Sequence, residues 1–282
     1  MITAVQIRAA GIDWHVDTAG EGPPVLLLHG FPESRLSYRH NIEALVEAGF
    51  SVFVPDLKGY GLTDKPRPGS AYGDYRISVV SREIGLLIQA LGFERMHVVG
   101  HDWGGVLLSA MMFTARERLD RCVLLNAPFW RFDPTTIRHI YRFQVPQLPE
   151  RSFHRDPVGF VGGIFDTWSV RREACSAEDL RLYVRGFQTG GSFACAMAYY
   201  RNLRRDIGFV ARTRMTGTPA GGFPPTMVCY GAGDPIMPPR VARWAAADIQ
   251  GARLELIEGA GHFVHSEAPG RTNSLLIEHL SL

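Results

Sequence analysis

The sequence lacks the features that mark membrane, metal-binding or nucleic-acid-binding proteins. None of its 282 residues belongs to an apolar stretch long enough to cross a bilayer. The four cysteines, Cys122, Cys175, Cys195 and Cys229, have no metal-type spacing, and two of them lie in apolar runs. A net charge of only +2 argues against a nucleic-acid partner. We therefore expect a soluble protein with buried free thiols and neither metal nor cofactor.

The amino terminus also lacks a targeting pattern. It begins Met-Ile-Thr-Ala, with no basic stretch followed by an apolar one, so we predict no signal peptide and a cytoplasmic location. Charge is unevenly spread, because residues 131–214 contain many arginines and no lysine. A solvated basic face explains this most simply, and a preference for anionic substrates is the alternative. The oligomeric state is not readable from these patterns, and a homodimer stays open.

Six short apolar runs predict a buried sheet. They lie at residues 25–28, 52–55, 97–99, 121–125, 226–230 and 253–257. Runs this continuous are typical of strands buried on both faces. Helical patterns separate them, around residues 41–47, 79–91, 106–113, 241–247 and 272–280. The alternation predicts an α/β protein with a doubly wound, mostly parallel sheet.

The alternation stops between residues 127 and 222. This segment has aromatic-rich helical stretches at 137–143, 177–187 and 193–203, separated by proline and glycine. Residues 218–225 contain several prolines and glycines, which block both helix and strand. We interpret residues 127–222 as a helical lid, or cap, inserted into a core formed by residues 1–126 and 223–282.

The most informative pattern is Gly-His-Asp-Trp-Gly-Gly at residues 100–105. An apolar strand-like run precedes it and a helix-compatible run follows, as in the strand–turn–helix of a nucleophile elbow. That turn usually presents a serine, whereas here it presents Asp102. A carboxylate needs no base to remove a proton before it attacks. It would displace a leaving group from an sp³ carbon and leave an alkyl ester, which favours carbon–heteroatom cleavage over acyl transfer.

Hydrolysis of such an ester needs a base and an acid that orients it. His262, just after the last predicted strand, is the candidate base, and His265 is its nearest rival. Asp234 follows the preceding strand and is the candidate acid, in the chain order nucleophile, acid, histidine. Asn126 stands where the acid can also lie, but it is uncharged. The alternative is that His262 has only a structural role and that Asp234 is only a turn residue.

The oxyanion that forms during ester hydrolysis needs N–H donors that already point at it. The backbone N–H of Trp103, which follows Asp102, is one expected donor. The second is the N–H of Phe31, within His-Gly-Phe-Pro. Pro32 is expected to hold that loop rigid, and a cis bond is one way to do so.

With these motifs the sequence resembles the epoxide hydrolases of the α/β-hydrolase fold. The matching stretches are His-Gly-Phe-Pro-Glu-Ser (29–34), Asp-Leu-Lys-Gly-Tyr-Gly (56–61), residues 100–105, Phe-Gln-Val-Pro (143–146), Tyr-Arg-Asn (200–202) and Gly-Ala-Gly-His (259–262). They run through nearly the whole chain. The resemblance implies that an epoxide becomes a vicinal diol through an ester on Asp102, which His262-activated water hydrolyses. A small epoxide and water would then be the partners.

The resemblance also implies two lid side chains that donate to the epoxide oxygen. The family usually supplies two tyrosines, and the second matches Tyr200. The first position, four residues before Phe143, holds His139, which resembles a small bacterial subgroup with a His/Tyr pair. Positions 139 and 143 share a helix face, whereas Tyr141 points roughly 200° away from His139. We predict the pair His139 and Tyr200, with Tyr141 as the alternative first donor.

Two other functions use the same scaffold. A haloalkane or haloacid dehalogenase shares the aspartate nucleophile, but its usual second halide donor is replaced here by Phe31. Fluoroacetate-type enzymes carry an arginine where Trp103 stands. A non-enzymatic ligand-binding homologue would tolerate a broken triad, and all three members are present. Aromatic residues of the lid favour an apolar pocket for an aliphatic or aryl epoxide of moderate size.

Overall fold

An eight-stranded sheet runs through the computed structural model, which describes residues 1–70 and 73–282. The strands are β1 Thr3–Ala9, β2 Ile12–Ala19, β3 Pro24–Leu28, β4 Ser51–Pro55, β5 Met96–His101, β6 Leu119–Leu125, β7 Thr226–Gly231 and β8 Arg253–Ile257. Their order is β1-β2-β4-β3-β5-β6-β7-β8. The β1–β2 and β2–β4 pairs are antiparallel and the other pairs parallel. The prediction of an α/β protein with a mostly parallel sheet is confirmed.

Strands β1 and β2 were missed by the sequence patterns. Strand β1 is at the sheet edge, and its residues alternate between exposed and half-buried. A search for continuous apolar runs finds strands that are covered on both faces and overlooks such an edge strand. Ala10 and Gly11 join β1 to β2 with φ of 54° and 78°, which is the backbone of a two-residue hairpin turn.

Helices cover both faces of the sheet. They are α1 Arg39–Glu47, α2 Ile77–Ala90, α3 Trp103–Thr114, α4 Arg138–Gln144, α5 Leu148–Arg155, α6 Pro157–Trp168, α7 Ala177–Gln188, α8 Ser192–Asn202, α9 Ile207–Thr216, α10 Pro239–Asp248, α11 Val264–Glu267 and α12 Pro269–Leu280. In β3, Val25 and Leu27 pack in the apolar cluster that contains α1 and α12 residues. Leu26 and Leu28 pack in the other cluster, with α2, α3 and α10. Among residues 1–70 and 73–282, no helix has the length and apolar character that a membrane crossing requires.

Residues 126–225 connect β6 to β7 and are all described; they form helices α4 to α9 and no strand. The predicted stretches at 137–143, 177–187 and 193–203 match α4, α7 and α8 to within a residue at each end. Helices α5, α6 and α9 were not predicted. Helix α6 begins at Pro157 and contains three glycines, which weaken a helical pattern. Its start is fixed by Asp156, whose carboxylate accepts the Gly159 N–H at 2.9 Å.

A buried ion pair lies beneath the inserted helices. Lys58, in the loop after β4, is fully buried, and its Nζ donates to both Glu83 carboxylate oxygens at 2.7 and 2.9 Å. Glu83 belongs to α2, so the pair joins this loop to the core. The Tyr199 hydroxyl of α8 donates to the Lys58 carbonyl oxygen at 2.9 Å. The same loop therefore fixes the position of α8. Helix α8 also carries Tyr200, the residue that follows Tyr199.

Candidate active site

Asp102 lies in a sharp turn between β5 and α3. Its backbone has φ 47° and ψ −114°, a region that non-glycine residues rarely adopt. Small neighbours make the turn possible, because a Cβ at Gly104 would overlap the carbonyl oxygen of Leu28. A Cβ at Gly30 would overlap the Asp102 side chain itself. The predicted elbow is therefore present, and the loop after β3 closes against it.

The structure brings Asp102, His262 and Asp234 together, each from a loop at the carboxyl end of a strand. The His262 Nδ1 lies 2.7 Å from the Asp234 Oδ2. On the other side of the ring, Nε2 lies 3.6 Å from the Asp102 Oδ2. His262 is fully buried and Asp234 nearly so. One imidazole therefore stands between two carboxylates that enter the site from separate strands.

Asp234 is held by four hydrogen bonds. Its Oδ1 accepts the backbone N–H groups of Ile236 and Met237 at 2.7 and 2.9 Å. Its Oδ2 accepts from the Asn126 side chain at 2.7 Å as well as from His262. Burial would raise the Asp234 pKa, but the His262 charge and these donors lower it. Asn126, noted in the sequence only as uncharged, thus supports Asp234 in the loop after the neighbouring strand.

The charge on His262 follows from its two carboxylates. Burial alone would lower the His262 pKa, but Asp234 and Asp102 outweigh it and raise the pKa to about 10. The Asp102 pKa is lowered in turn, because His262, His101 and the Phe31 N–H outweigh its burial. At neutral pH the protein without substrate therefore holds an imidazolium between two carboxylates.

The backbone N–H of Phe31 donates to the Asp102 Oδ1 at 2.8 Å. Trp103 is the first residue of α3, where backbone N–H groups have no acceptor within the helix. The structure thus places the Phe31 N–H on the Asp102 carboxylate, and the Trp103 N–H stays a predicted second donor. The Phe31–Pro32 peptide bond is cis.

Tyr200 and His139 reach the site from α8 and α4. The Tyr200 ring meets the Trp103 ring edge-on at 4.9 Å between centroids and the His139 ring at 6.1 Å. The Tyr200 hydroxyl and the Trp103 indole N–H are buried and have no hydrogen-bond partner among the described residues. Tyr141 is 58% exposed, on the outer side of α4. Of the two candidate first donors, only His139 faces Tyr200.

The protonation of both side chains follows from burial. Burial raises the Tyr200 pKa well above its ordinary value, and the Asp102 charge raises it further. Burial lowers the His139 pKa to about 4. At neutral pH the phenol therefore keeps its proton, and His139 is a neutral imidazole with one N–H to donate.

The sequence patterns missed a buried network behind the elbow. His101 Nδ1 lies 2.8 Å from a Glu33 carboxylate oxygen, and its Nε2 lies 2.9 Å from the His262 carbonyl oxygen. Burial opposes the Glu33 charge, but His265 and His101 hold its pKa well below the ordinary value. Through the contact of His101 Nε2 with the His262 carbonyl oxygen, this network holds the backbone of His262 in place.

His265, the rival base, belongs to that network. Its Nε2 lies 3.2 Å from the Glu33 carboxylate, and burial lowers its pKa to about 4. Glu33, His101 and His265 offer ligand atoms within 4.8 Å of one another, the only such metal-type group among residues 1–70 and 73–282. However, ligands of a tetrahedral zinc ion lie about 3.4 Å apart, and the 2.8 Å Glu33–His101 contact is a hydrogen bond.

Two further residues hold the His262 loop. The His262 N–H donates to the Trp168 carbonyl oxygen at 3.0 Å, and the two rings meet edge-on at 5.3 Å. Glu267 accepts the N–H groups of Gly261 and Phe263 on one side and of Val170 on the other. The end of α6 is thereby fastened to the loop that carries His262. No motif in the sequence marks this contact, because it joins residues about a hundred positions apart.

A cavity of about 570 Å³ lies between α4, α5 and α6. His139, Phe143 and Trp168 line it together with other residues of the three helices. Since His139 faces Tyr200 and Trp168 contacts His262, these side chains belong to both the cavity and the site.

Comparison with known proteins agrees with this geometry. A family model described as alpha/beta hydrolase fold matches residues 23–154. The chain is 29% identical over 289 residues to the AB hydrolase superfamily protein YfhM of Bacillus subtilis (strain 168), covering 97% of this chain and 96% of the relative. It is 29% identical over 313 residues to Epoxide hydrolase A of Mycobacterium tuberculosis (strain ATCC 25618 / H37Rv), covering 96% and 95%. The solved structure of epoxide hydrolase CorEH without ligand matches with a TM-score of 0.87 and 25% identity, covering 100% of this chain and 99% of that one.

The chain has the α/β-hydrolase fold. It is a homologue of epoxide hydrolases, and it is an enzyme, a hydrolase.

Proposed function

We propose that the protein hydrolyses an epoxide to a vicinal diol through a covalent ester on Asp102. One observation carries this proposal. The Tyr200 hydroxyl is buried without a hydrogen-bond acceptor among the described residues, beside a carboxylate that is paired with a histidine. A buried hydroxyl without an acceptor is costly unless a ligand supplies one. An epoxide oxygen is such an acceptor, and the adjacent ring carbon is the electrophile that Asp102 needs.

The first step forms the ester. The Asp102 Oδ2 attacks a ring carbon, the carbon–oxygen bond breaks, and the ring oxygen takes a proton from Tyr200. Neutral His139 donates a second hydrogen bond to the same oxygen. The resulting tyrosinate regains its proton from water by the end of the cycle. Donors that meet the charge where it develops are the largest usual source of rate acceleration.

The second step hydrolyses the ester. His262 takes a proton from water, and the hydroxide adds to the Asp102 carboxyl carbon. The Phe31 N–H, which already donates to Oδ1, and the Trp103 N–H stabilise the oxyanion. Collapse of this intermediate expels the diol oxygen, which takes the proton from His262. The Asp102 carboxyl group that is left gives the proton of the added hydroxide to His262, so the imidazolium is restored and the carboxylate returns with one oxygen from water.

Alkylation itself prepares His262 to act as the base. Asp102 is one of the two carboxylates that raise the His262 pKa. Conversion of Asp102 to a neutral ester removes that charge, so the pKa falls and the ring can lose its proton. The charge of Asp102 thereby keeps His262 protonated, so His262 cannot activate water until the ester has formed.

Different parts of the chain supply the residues for the two chemical steps. We propose that residues 127–222 form a cap, which supplies His139 and Tyr200 for ring opening. The core, residues 1–126 and 223–282, supplies Asp102, Asp234 and His262. Each chemical step thus draws its proton donor or acceptor from a different part of the chain.

A dehalogenase is the second candidate, and one observation favours it. The Trp103 indole N–H is buried without a hydrogen-bond acceptor among residues 1–70 and 73–282, and it could donate to a halide. Phe31, however, offers no side-chain donor at the usual second position. The Tyr200 hydroxyl and neutral His139 fit an oxygen that must gain a proton, whereas a departing halide needs none.

The test is a single turnover in water enriched in heavy oxygen, with purified protein and a panel of epoxides and haloalkanes. We expect diol from epoxides, with the label in Asp102 and not in the first-turnover diol. The matched variant His262→Gln should accumulate an ester adduct, visible by intact mass. Label in the first diol would mean direct attack by water and would overturn the ester. Halide release without diol formation would favour the dehalogenase.

A further inference from the structure

The side chain of Gln144, the last residue of α4, is bonded to the backbone of Tyr200. Its Nε2 donates to the Tyr200 carbonyl oxygen at 2.5 Å. The Gln144 Oε1 is buried and has no hydrogen-bond partner among the described residues. In that part of the chain, the bond to Tyr200 is therefore the one hydrogen bond that this side-chain amide makes.

The Tyr200 carbonyl group lies where α8 runs out of its own hydrogen bonds. The helix ends at Asn202, and the last four carbonyl groups of an α-helix have no N–H partner four residues further on within it. The Tyr200 carbonyl oxygen accepts the Leu203 N–H, which tightens the last turn, and it also accepts from Gln144. The glutamine thus holds the backbone of Tyr200 from the side of α4.

Helix α4 also carries His139, the other proposed donor to the epoxide oxygen. The helix is only seven residues long, so Gln144 at its end and His139 near its start move together. Between the two donors lies Phe143, whose ring is 5.8 Å from the His139 ring and 4.9 Å from the Tyr200 ring. Apolar ring packing sets no direction, whereas a hydrogen bond has a preferred distance and angle.

The neighbouring residue of α8 is fastened mainly to a different helix. Arg201 pairs with Glu150 of α5 at 2.5 and 2.9 Å. Its bond to the Val145 carbonyl oxygen, just after α4, is long, at 3.4 Å. The short bond between α4 and α8 is therefore the one from Gln144, and it falls on the residue whose phenol is needed for ring opening.

We propose that Gln144 is a positioning residue for ring opening, which holds Tyr200 and His139 at the spacing that lets both donate to one epoxide oxygen. The two rings lie 6.1 Å apart between centroids. Donors that act together must keep their geometry within about 0.5 Å, and a displacement of about 1 Å can lower a rate by about 10². This inference rests on the proposed epoxide hydrolysis and adds a residue to it.

The test compares two substitutions that remove the donor in different ways. Gln144→Met keeps the length of the side chain without an N–H, so pre-steady-state alkylation should slow by about ten- to a hundredfold at every pH. Gln144→Glu should slow alkylation at about pH 8, where a carboxylate has no proton to donate. At about pH 5 it should recover to within about threefold of the unmodified protein, because burial and the facing carbonyl oxygen keep the introduced carboxyl group protonated.

Two controls accompany these variants. Hydrolysis of the ester, which uses His262, should keep its rate in both of them. Gln147→Glu makes the same change at an exposed position between α4 and α5, where the Gln147 Oε1 accepts from Arg151 and a carboxylate can do the same. This variant should alter neither step at either pH.

Unchanged alkylation in Gln144→Met, or an equal slowing of alkylation and ester hydrolysis, would overturn the positioning role while epoxide hydrolysis stands. No recovery of Gln144→Glu at low pH would overturn it as well. A second measurement is independent of turnover. In protein labelled with fluorotyrosine, the fluorine resonance of Tyr200, assigned with Tyr200→Phe, should shift and broaden in Gln144→Met. If it does so and no epoxide is opened, Gln144 positions Tyr200 and the proposed reaction fails. An unchanged resonance would overturn the positioning role whatever the enzyme hydrolyses.

Discussion

Substitution of Asp102 by asparagine should make His262 release its proton near neutral pH. Asparagine keeps the shape of the side chain and removes the charge, as alkylation would. The Asp102 Oδ2 lies 3.6 Å from the His262 Nε2. With an effective dielectric constant of about 20, a unit charge at that distance is worth about 4.6 kcal/mol.

That energy corresponds to about 3 pKa units. The His262 pKa is raised to about 10 in the unmodified protein. We therefore expect it to lie at about 7 in Asp102→Asn, because Asp234 remains at 2.7 Å and still favours the charged ring. The variant would then hold largely neutral imidazole above pH 8, where the unmodified protein still holds imidazolium.

The assay is nuclear magnetic resonance of the imidazole ring of His262 against pH, assigned with His262→Gln. Asp248→Asn is the control, since it removes the partner of Arg131 on the surface and leaves the site intact. The His262 titration should be unchanged in this control. A shift of less than about 1 unit in Asp102→Asn would show that the nucleophile does not hold the proton on His262, and our account of the order of steps would be wrong.

Three further results are expected. His262→Gln should trap the ester whereas His265→Gln should turn over, and trapping only by the latter, seen by intact mass, would reassign the base. His139→Ala should slow alkylation by a factor on the order of 10² in pre-steady-state kinetics, whereas Tyr141→Phe should not; the reverse pattern would restore Tyr141 as the donor. Lys58→Met should lower the free energy of unfolding by about 3–5 kcal/mol in urea, because its buried carboxylate partner loses its counter-charge; a change below about 1 kcal/mol would contradict this.

The sequence patterns identified the features that are formed by residues close together in the chain. The elbow around Asp102 is marked by small residues between a strand and a helix, and the loops of Asp234 and His262 each follow an apolar strand. Such features depend on neighbours within a few positions. Strand β1 left no comparable trace, because an edge strand with one open side needs only alternate apolar residues.

Contacts between distant segments could not be read in the same way. Glu33 lies in the loop after β3 and His101 ends β5, and only the sheet order that places β3 beside β5 brings them together. The bond from Asn126 to Asp234 likewise depends on β6 lying beside β7. A polar residue after a strand is common, so its partner becomes evident only once the order of strands is known.

The backbone conformation at Asp102 lowers folding stability, whereas the Asp102 side chain is needed for the proposed reaction. Its φ of 47° with ψ of −114° is open to glycine without a steric penalty, and for other residues such a conformation costs about 1–3 kcal/mol. A library selected only for resistance to proteolysis should therefore enrich glycine at this position. The selected variants would become more stable with each round while they lose the proposed activity. Selection for stability alone would therefore remove Asp102, the residue on which that activity depends.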